Sequence, residues 1–230
     1  MSKLLLDGDI VAYRAAYSTN NDFEEDAIDK IDQIIEYLLE DTMFEPNAEL
    51  MEVFLTGSSN FRFELVDNYK ANRVGTERPV HLQAIRDHMV DNYEAVVSVG
   101  EEADDMIGIR ATSIGPHAIV ASIDKDMLQI PCIHYNLWRK TWTKVSEWEG
   151  LLFFYEQILT GDRADNIIGL KGIGPVKAKK IIAGATTERE LFDRCVEKYD
   201  GDVDKVIENG RLLWLRREEG QLWSPPDEVS

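Results

Sequence analysis

KLLLDGDIVAYRAAY, residues 3–17, decides the fold class, because a short apolar run passes through an acid–glycine–acid turn into a segment with helical spacing. Residues 3–6 predict a buried strand, and residues 10–17 predict a helix. Asp7 and Asp9 then lie at the carboxyl end of the strand, the edge at which open α/β sheets bind ligands. The segment therefore favours an α/β fold with acids at its binding edge.

The same alternation of strand and helix continues to about residue 140. Further strands are predicted at residues 50–55, 94–99, 117–123 and 133–137, and further helices at 23–43, 79–93 and 102–113. After residue 148 the pattern becomes helical, with segments at 148–159, 175–183, 187–199 and 203–209. We therefore predict an α/β fold with a mostly parallel central sheet flanked by helices, followed by a C-terminal helical lobe.

This pattern predicts a division of the chain into two structural units. Residues 1–148 form the α/β core, with a short arch region at about 70–95. Residues 149–223 form the helical lobe, which carries a glycine-rich hairpin at 161–183. Residues 224–230 are expected to form a loose tail, as chain termini often do.

The overall charge restricts the kinds of partner. With 43 acidic and 25 basic residues among 230, the formal net charge is −18, which argues against broad, sequence-blind binding to a polyanion. A nucleic-acid enzyme would need its cations in one local strip. No apolar run approaches the length of a membrane helix, and we expect no signal peptide. Cys132 and Cys195 lack metal-type spacing, so we expect a reducing, cytoplasmic setting, the host cytoplasm if a phage encodes the chain.

Acidic side chains follow three predicted strands at the points where they end. They are Asp7 and Asp9, then Glu101, Glu102, Asp104 and Asp105, then Asp124 and Asp126. Each acid alone also suits a helix N-terminus. Three strand ends together predict a shared cleft with a metal site, and all-oxygen ligands favour Mg²⁺ or Mn²⁺. A further pair, Asp162 and Asp165, is spaced to share one side of a helical turn.

Two segments concentrate positive charge. Residues 169–180 place a glycine turn before a helix that is rich in lysine, a layout that suits binding of a DNA backbone. The residues of this strip that we expect to bind DNA are Lys171, Gly172, Gly174, Lys177, Lys179 and Lys180. The alternative is a helix corner with solvated lysines. The second segment contains Arg62, Tyr69, Lys70 and Arg73, where Tyr69 could stack on a base or pack in the core.

In their order along the chain, these motifs resemble the 5′-nuclease superfamily, which includes flap endonucleases, the 5′-exonuclease domains of bacterial DNA polymerase I and bacteriophage 5′→3′ exonucleases. The resemblance covers residues 3 to about 183 and rests on the segments 6–9, 61–62, 69–73, 102–105, 122–126, 161–166 and 169–180. The segment 64–73 looks most like the exonucleases of T7-like phages. Each motif is weak alone, but the ordered set is specific.

The resemblance implies a role for each matching residue. The first metal site would be formed by Asp7, Glu102, Asp104 and Asp105. The second would be served by Asp124, Asp126, Asp162 and Asp165, some through water. Lys70 and Arg73 would contact the scissile phosphate as catalytic residues, and Arg62 and Tyr69 would contact DNA. The hairpin at Gly172 and Gly174 would form a helix-three-turn motif that holds duplex DNA and can bind K⁺ through its carbonyls.

Two departures from the family pattern bear on activity. The second strand of the family usually ends in Asp, whereas here Thr56 and Gly57 follow Leu55. The stretch from Arg73 to Val96 is also short, and larger members thread a 5′ strand through an arch there. A short arch favours an exonuclease that acts at duplex ends, nicks or gaps over an enzyme that cuts long flaps.

The resemblance implies a metal-dependent 5′→3′ exonuclease that uses two Mg²⁺ ions, or Mn²⁺ in their place, to hydrolyse duplex DNA to 5′-phosphate products. Flap cleavage and removal of RNA from RNA–DNA hybrids are further expected activities, in DNA replication, primer removal or recombination. Two alternatives stay open: a related acid-lined ribonuclease, and a non-catalytic, structure-specific DNA-binding protein, which the absent second-strand acid would support.

Overall fold

The computed structural model describes residues 2–42, 50–73 and 75–226. The strands are β1 (Lys3–Asp7), β2 (Met51–Leu55), β3 (Val96–Val97), β4 (Ala118–Ser122), β5 (Ile133–Asn136), β6 (Thr141–Lys144), β7 (Gly161–Asp162) and β8 (Ile167–Ile168). The α-helices are α1 (Gly8–Ser18), α2 (Glu24–Thr42), α3 (Arg62–Leu65), α4 (Leu82–Tyr93), α5 (Ala103–Ile114), α6 (Glu147–Thr160), α7 (Pro175–Ile182), α8 (Glu188–Lys198) and α9 (Val203–Leu213).

The central sheet has six strands in the order β3-β2-β1-β4-β5-β6. The first five of these are parallel, and β6 runs antiparallel to β5 at one edge. β1 and β4 lie in the middle and are almost wholly buried, as parallel strands covered on both faces must be. The predicted α/β fold with a mostly parallel sheet is therefore confirmed.

Alternating side chains of the central strands enter two separate cores. Leu4 and Leu6 pack with α1, α2 and α4 on one face of the sheet. Leu5 points to the other face, where it packs with Ile107 of α5. Gly8 follows β1 without a gap, and a Cβ at this position would lie 2.6 Å from the Phe54 carbonyl oxygen. The acid–glycine–acid turn therefore needs its glycine to bring α1 close to β2.

A third core joins the C-terminal helices. Phe154 and Tyr155 of α6 pack edge-to-face against Trp223, and residues of α7, α8 and α9 complete the cluster. The short β7–β8 hairpin connects α6 to the glycine-rich turn before α7. Within the described part of the chain, no helix is both long and apolar enough to span a bilayer.

The structure differs from the sequence prediction at the ends of several elements. Only Val96–Val97 of the predicted strand 94–99 joins the sheet, because Glu94 adopts a left-handed conformation that ends α4. Strands β6, β7 and β8 and helix α3 were not predicted. Residues 214–223 return to pack on the core, with Trp223 only 5% exposed. The end of the predicted helix 23–43 and the last four residues of the predicted tail lie outside the described residues.

Candidate active site

A single cleft at the carboxyl ends of the parallel strands collects the acidic side chains. Its volume is about 1550 Å³. Besides Asp87 of α4, the carboxylates on its walls are those of Asp7, Asp9, Glu102, Asp104, Asp124, Asp126, Asp162 and Asp165. The ends of β1 and β4, the start of α5 and the β7–β8 hairpin bring them there. All the predicted metal ligands except Asp105 therefore line one cleft.

Asp7 lies at the base of the cleft. Its carboxylate accepts hydrogen bonds from the Ser122 hydroxyl at 2.7 Å and from the Ile10 backbone N–H at 3.3 Å, so it also caps α1. Burial raises the pKa of Asp7 to about 7, and the charges of Asp9 and Asp124 act in the same direction. Asp7 can therefore cap α1 and also serve as a candidate metal ligand in the cleft.

Asp104 stands opposite, on the first turn of α5. Burial, with the charges of Asp7, Asp124 and Glu102, raises its pKa well above the ordinary range for a carboxyl. Thr56, which stands near the place of the family's second-strand acid, accepts a hydrogen bond from the backbone N–H of Ala103 at 3.1 Å. Thr56 thus caps the helix that presents Asp104 instead of adding a carboxylate.

Asp126 and Asp162 form the far wall. The Gln157 amide donates to Asp126 at 2.7 Å, and the backbone N–H of Ala164 donates to Asp162 at 2.7 Å. Burial and the neighbouring charges of Asp124 and Asp162 raise the pKa of Asp126 to about 8. Neighbouring carboxylates oppose one another's ionisation, and a bound cation would relieve that repulsion.

Asp105 is not a metal ligand in this arrangement, so its prediction is corrected. Both of its oxygens accept hydrogen bonds from the Arg62 guanidinium, at 2.5 and 2.9 Å, and the backbone N–H of Arg216 donates to one of them. Arg62 is 1% exposed and also donates to the carbonyls of Leu212 and Trp214. The predicted DNA contact of Arg62 is therefore wrong as well, since the pair forms a buried structural tie.

Tyr69 packs in the helical core instead of stacking on DNA, which confirms the alternative interpretation of this residue. It is 2% exposed, and its hydroxyl oxygen lies within hydrogen-bond distance of both Glu102, at 2.8 Å, and Asp165, at 2.9 Å. The same two carboxylates form ion pairs with the neighbouring basic side chains. Lys70 pairs with Glu102, and Arg73 donates to Asp165 at 2.6 Å. Lys70 and Arg73 therefore stand on the rim of the acidic cleft.

Sequence reasoning missed the part that Arg86 plays in the cleft. Its guanidinium, on α4, pairs with Asp9 and also donates to the Thr56 carbonyl at 2.6 Å. The second oxygen of Asp9 accepts the backbone N–H of Thr56 at 2.8 Å. This bridge joins α4 to the ends of β1 and β2. No motif marks Arg86, whereas Asp9 was visible in the sequence as the second acid of the turn.

The lysine strip lies on the exposed surface of α7 and of the turn before it. Lys171, Gly172, Gly174, Lys177, Lys179 and Lys180 are all exposed. Gly172 has a φ of +78°, which favours glycine. The ammonium of Lys177 donates to the Gly172 carbonyl at 2.8 Å, and Lys179 lies 3.9 Å from Glu156.

The donor set of the cleft suits a hard divalent cation, because carboxylate oxygens are the preferred ligands of Mg²⁺ and Mn²⁺. Burial, together with the charges of neighbouring acids, raises the pKa values of Asp7 and Asp126, and a bound cation would favour their ionised forms. Among the described residues, however, no three Asp, Glu, His or Cys side chains are already arranged to hold an ion. The fit to a divalent metal therefore rests on the chemistry of the oxygen donors that line the cleft.

Comparisons with known proteins agree with this geometry. Residues 2–153 match the family model described as "5'-3' exonuclease, N-terminal resolvase-like domain". A 5′-3′ exonuclease of Mycoplasma genitalium is 29% identical, over 91% of this chain and 81% of that protein. DNA polymerase I of Rhizobium leguminosarum is 28% identical over 75% of this chain, which spans only 17% of that polymerase's length.

A solved structure supports the fold in the same way. The 5′-exonuclease of T5, whose structure holds zinc as a divalent metal, superposes with a TM-score of 0.68 at 18% identity. The match covers 93% of this chain and 89% of that one. At this identity the likeness concerns the fold alone.

Proposed function

Because the chain belongs to the 5′-3′ exonuclease family, we propose that it is a metal-dependent phosphodiesterase that hydrolyses duplex DNA at or near 5′ ends. The observation that carries the proposal is the convergence of acids from separate elements in one cleft, with Lys70 and Arg73 on its rim. A protein that only bound DNA would have no use for carboxylates that repel one another and the phosphate backbone.

Asp7, Glu102 and Asp104 would hold one Mg²⁺, and Asp124, Asp126, Asp162 and Asp165 would serve a second, with Mn²⁺ as a substitute. When bound, such ions activate water and neutralise charge on the leaving oxygen in phosphodiester hydrolysis. The proposed reaction adds water across the P–O3′ bond: the hydroxyl of the water bonds to phosphorus and its proton goes to O3′. The released nucleotide therefore ends in a 3′-hydroxyl, and the phosphate stays on the 5′ end of the shortened strand.

Lys70 and Arg73 would hold the scissile phosphate. In the described structure their charges are paired with Glu102 and Asp165. An entering phosphate would exchange places with these carboxylates, which are then free to serve as metal ligands. Tyr69 supports the exchange from below, because its hydroxyl contacts both acids and holds them at the rim.

The exposed lysine strip would hold duplex DNA away from the cleft. Its glycine turn and the following helix N-terminus present N–H groups and cations to a phosphate backbone, as a helix-three-turn motif would. A K⁺ ion at this turn is part of the proposal. It would compete with the Lys177 ammonium for the Gly172 carbonyl oxygen.

The proposed substrates are duplex ends, nicks and gaps, with flaps and RNA–DNA hybrids as further candidates, in replication, primer removal or recombination. The short connection between Arg73 and α4 supports action at ends and nicks over threading of long flaps. We place the protein in the cytoplasm, of the host if a phage encodes it, because Cys132 and Cys195 are free, buried thiols.

Replacement of Asp104 by Asn tests the proposal, because it keeps the shape of the side chain and removes its charge. We expect Asp104→Asn to retain nicked duplex DNA in a binding assay and to lose at least about a hundredfold in cleavage rate with Mg²⁺. Asp87→Asn is the matched control, since Asp87 lines the same cleft outside the acidic cluster. Equal rates for wild type and Asp104→Asn would overturn the assignment.

A non-catalytic DNA-binding protein is the second candidate, because Thr56 occupies the place of a family acid and caps α5 instead. If wild type binds nicked DNA but releases no nucleotide in Mg²⁺ or Mn²⁺, this candidate takes the place of the first.

A further inference from the structure

The acidic cleft continues past the carboxylates onto a surface of aromatic and cationic side chains. Tyr13, Arg14 and Tyr17 of α1 and Trp138, in the turn between β5 and β6, line the same cleft as Asp7 and Asp124. We call these four residues the aromatic ledge. None of them was singled out from the sequence, because Trp138 comes together with the three α1 residues only in the folded chain.

The ledge exposes flat side chains to solvent. Trp138 is 51% exposed, Tyr17 is 57% exposed and Tyr13 is 36% exposed. The Arg14 guanidinium carbon lies 3.7 Å from the centre of the Trp138 ring, a cation–π contact. The rings of Tyr13 and Tyr17 are stacked, with centres 6.1 Å apart and planes inclined by 29°. Large aromatic groups left open to solvent beside a catalytic cleft suit a planar ligand.

The charge of the ledge is unusual for this chain. No carboxylate forms an ion pair with Arg14 among the residues that the structure describes, although the chain carries a net charge of −18. Arg78 also lines this part of the cleft. An arginine that stacks on an aromatic ring keeps its N–H groups available for phosphate oxygens. The ledge therefore offers both stacking faces and positive charge.

We propose that the aromatic ledge binds unpaired bases of the nucleic acid next to the cleavage site. Aromatic side chains that alternate with cations along a groove are the means by which proteins hold single strands without reading their sequence. Tyr13 lies roughly 9 Å and Tyr17 roughly 15 Å along α1 from Asp7, at about 1.5 Å per residue. Bases a few positions from the scissile phosphate would therefore reach the ledge. The proposal rests on the proposed function for the position of that phosphate.

Trp142 provides a matched control on the same hairpin. It is 48% exposed, close to the value for Trp138, but it packs against Tyr135 with ring centres 4.9 Å apart. Trp142 is not among the residues that line the cleft. Removal of either indole deletes a similar exposed side chain, and only one of the two belongs to the ledge.

The experiment compares the affinities of wild type, Trp138→Ala and Trp142→Ala for a short labelled oligothymidylate and for a blunt duplex, in EDTA without divalent metal. We expect Trp138→Ala to weaken binding of the oligothymidylate by about five- to a hundredfold, the range for one base–aromatic stack, with duplex affinity unchanged within about twofold. Trp142→Ala should match wild type on both probes, and Trp138→Phe should recover most of the affinity.

Melting temperatures of the variants check that each is folded. Equal oligothymidylate affinities for Trp138→Ala and Trp142→Ala would overturn the proposal. An equal loss of affinity by Trp138→Ala for the oligothymidylate and for the duplex would overturn it as well. This binding assay does not measure cleavage, so its result is independent of the proposed function. If the ledge binds single strands but the protein shows no nuclease activity in the cleavage assay, only the proposed function is refuted. Active enzyme with an unaltered single-strand affinity in Trp138→Ala would refute the ledge alone.

Discussion

The titration of the cleft acids links their geometry to stability. Burial raises the pKa of Asp7 to about 7 and that of Asp126 to about 8, whereas the unfolded chain titrates near the ordinary value of 3.8. At pH values between the unfolded pKa of 3.8 and these raised pKa values, the folded state binds more protons than the unfolded state. The free energy of unfolding of the metal-free protein should therefore fall as pH rises through this range, because these carboxyls must then carry a charge while buried and next to other acids.

This prediction is tested by thermal melts in EDTA between about pH 5 and about pH 8. Ordinary histidines titrate at about pH 6.5, within this window, but they are the same in the two proteins compared. The melting temperature of wild type should fall over this window relative to that of the variant Asp7→Asn/Asp126→Asn, which lacks both ionisations. Mg²⁺ should raise the melting temperature of wild type more at the upper pH than at the lower. Parallel pH profiles of the two proteins in EDTA would contradict the account.

At the scale of elements, the sequence predicted the helices and strands that have strong periodicity and missed those that depend on distant contacts. The predicted helix 148–159 agrees with α6 to within one residue at each end, although the capping box of Ser146 and Glu149 that begins it was not used in the prediction. β6 was missed because its four exposed residues lack alternating burial and gain their order only from pairing with β5. The role of Arg62 was misjudged because its partner, Asp105, is 43 residues away.

The pair of Arg62 and Asp105 ties α3 to α5 and to the chain after α9. Replacement of Arg62 by Met should lower the free energy of unfolding by about 3–5 kcal/mol, because it leaves the Asp105 carboxylate buried without a counter-charge. The double variant Arg62→Met/Asp105→Asn should recover part of this loss, since the amide is neutral and its single oxygen still accepts one of the two backbone N–H groups, of Glu102 and Arg216, that Asp105 binds through separate oxygens.

Urea denaturation measures these differences, and Arg110→Met is the control. Arg110 pairs with Glu52 at a half-buried position, and Lys3 also pairs with Glu52, so the loss of Arg110 leaves this carboxylate with a counter-charge and should cost at most about 1 kcal/mol. A loss in Arg62→Met that is no larger than in Arg110→Met would show that the buried pair does not hold the elements together.

At the scale of the whole molecule, the topology decides which predicted residues meet. The rule that parallel strands deliver ligands at their carboxyl ends was enough to place Asp7, Asp104 and Asp124 in one cleft before any coordinates were known. Their roles as metal ligands stay predictions. Contacts across the cleft, such as Arg86 with Asp9 or Arg14 with Trp138, could not be predicted, because they join segments that no sequence spacing relates.

The polarity of cleavage tests the central claim most directly. The substrate is a nicked duplex with a label at either the 5′ or the 3′ end of the strand downstream of the nick, incubated with wild type and Mg²⁺. We predict that the 5′ label is released first, as short products that carry a 5′-phosphate, and that EDTA abolishes the release. Loss of the 3′ label first, or the absence of any release with Mg²⁺ and Mn²⁺ while the DNA stays bound, would contradict a 5′→3′ exonuclease.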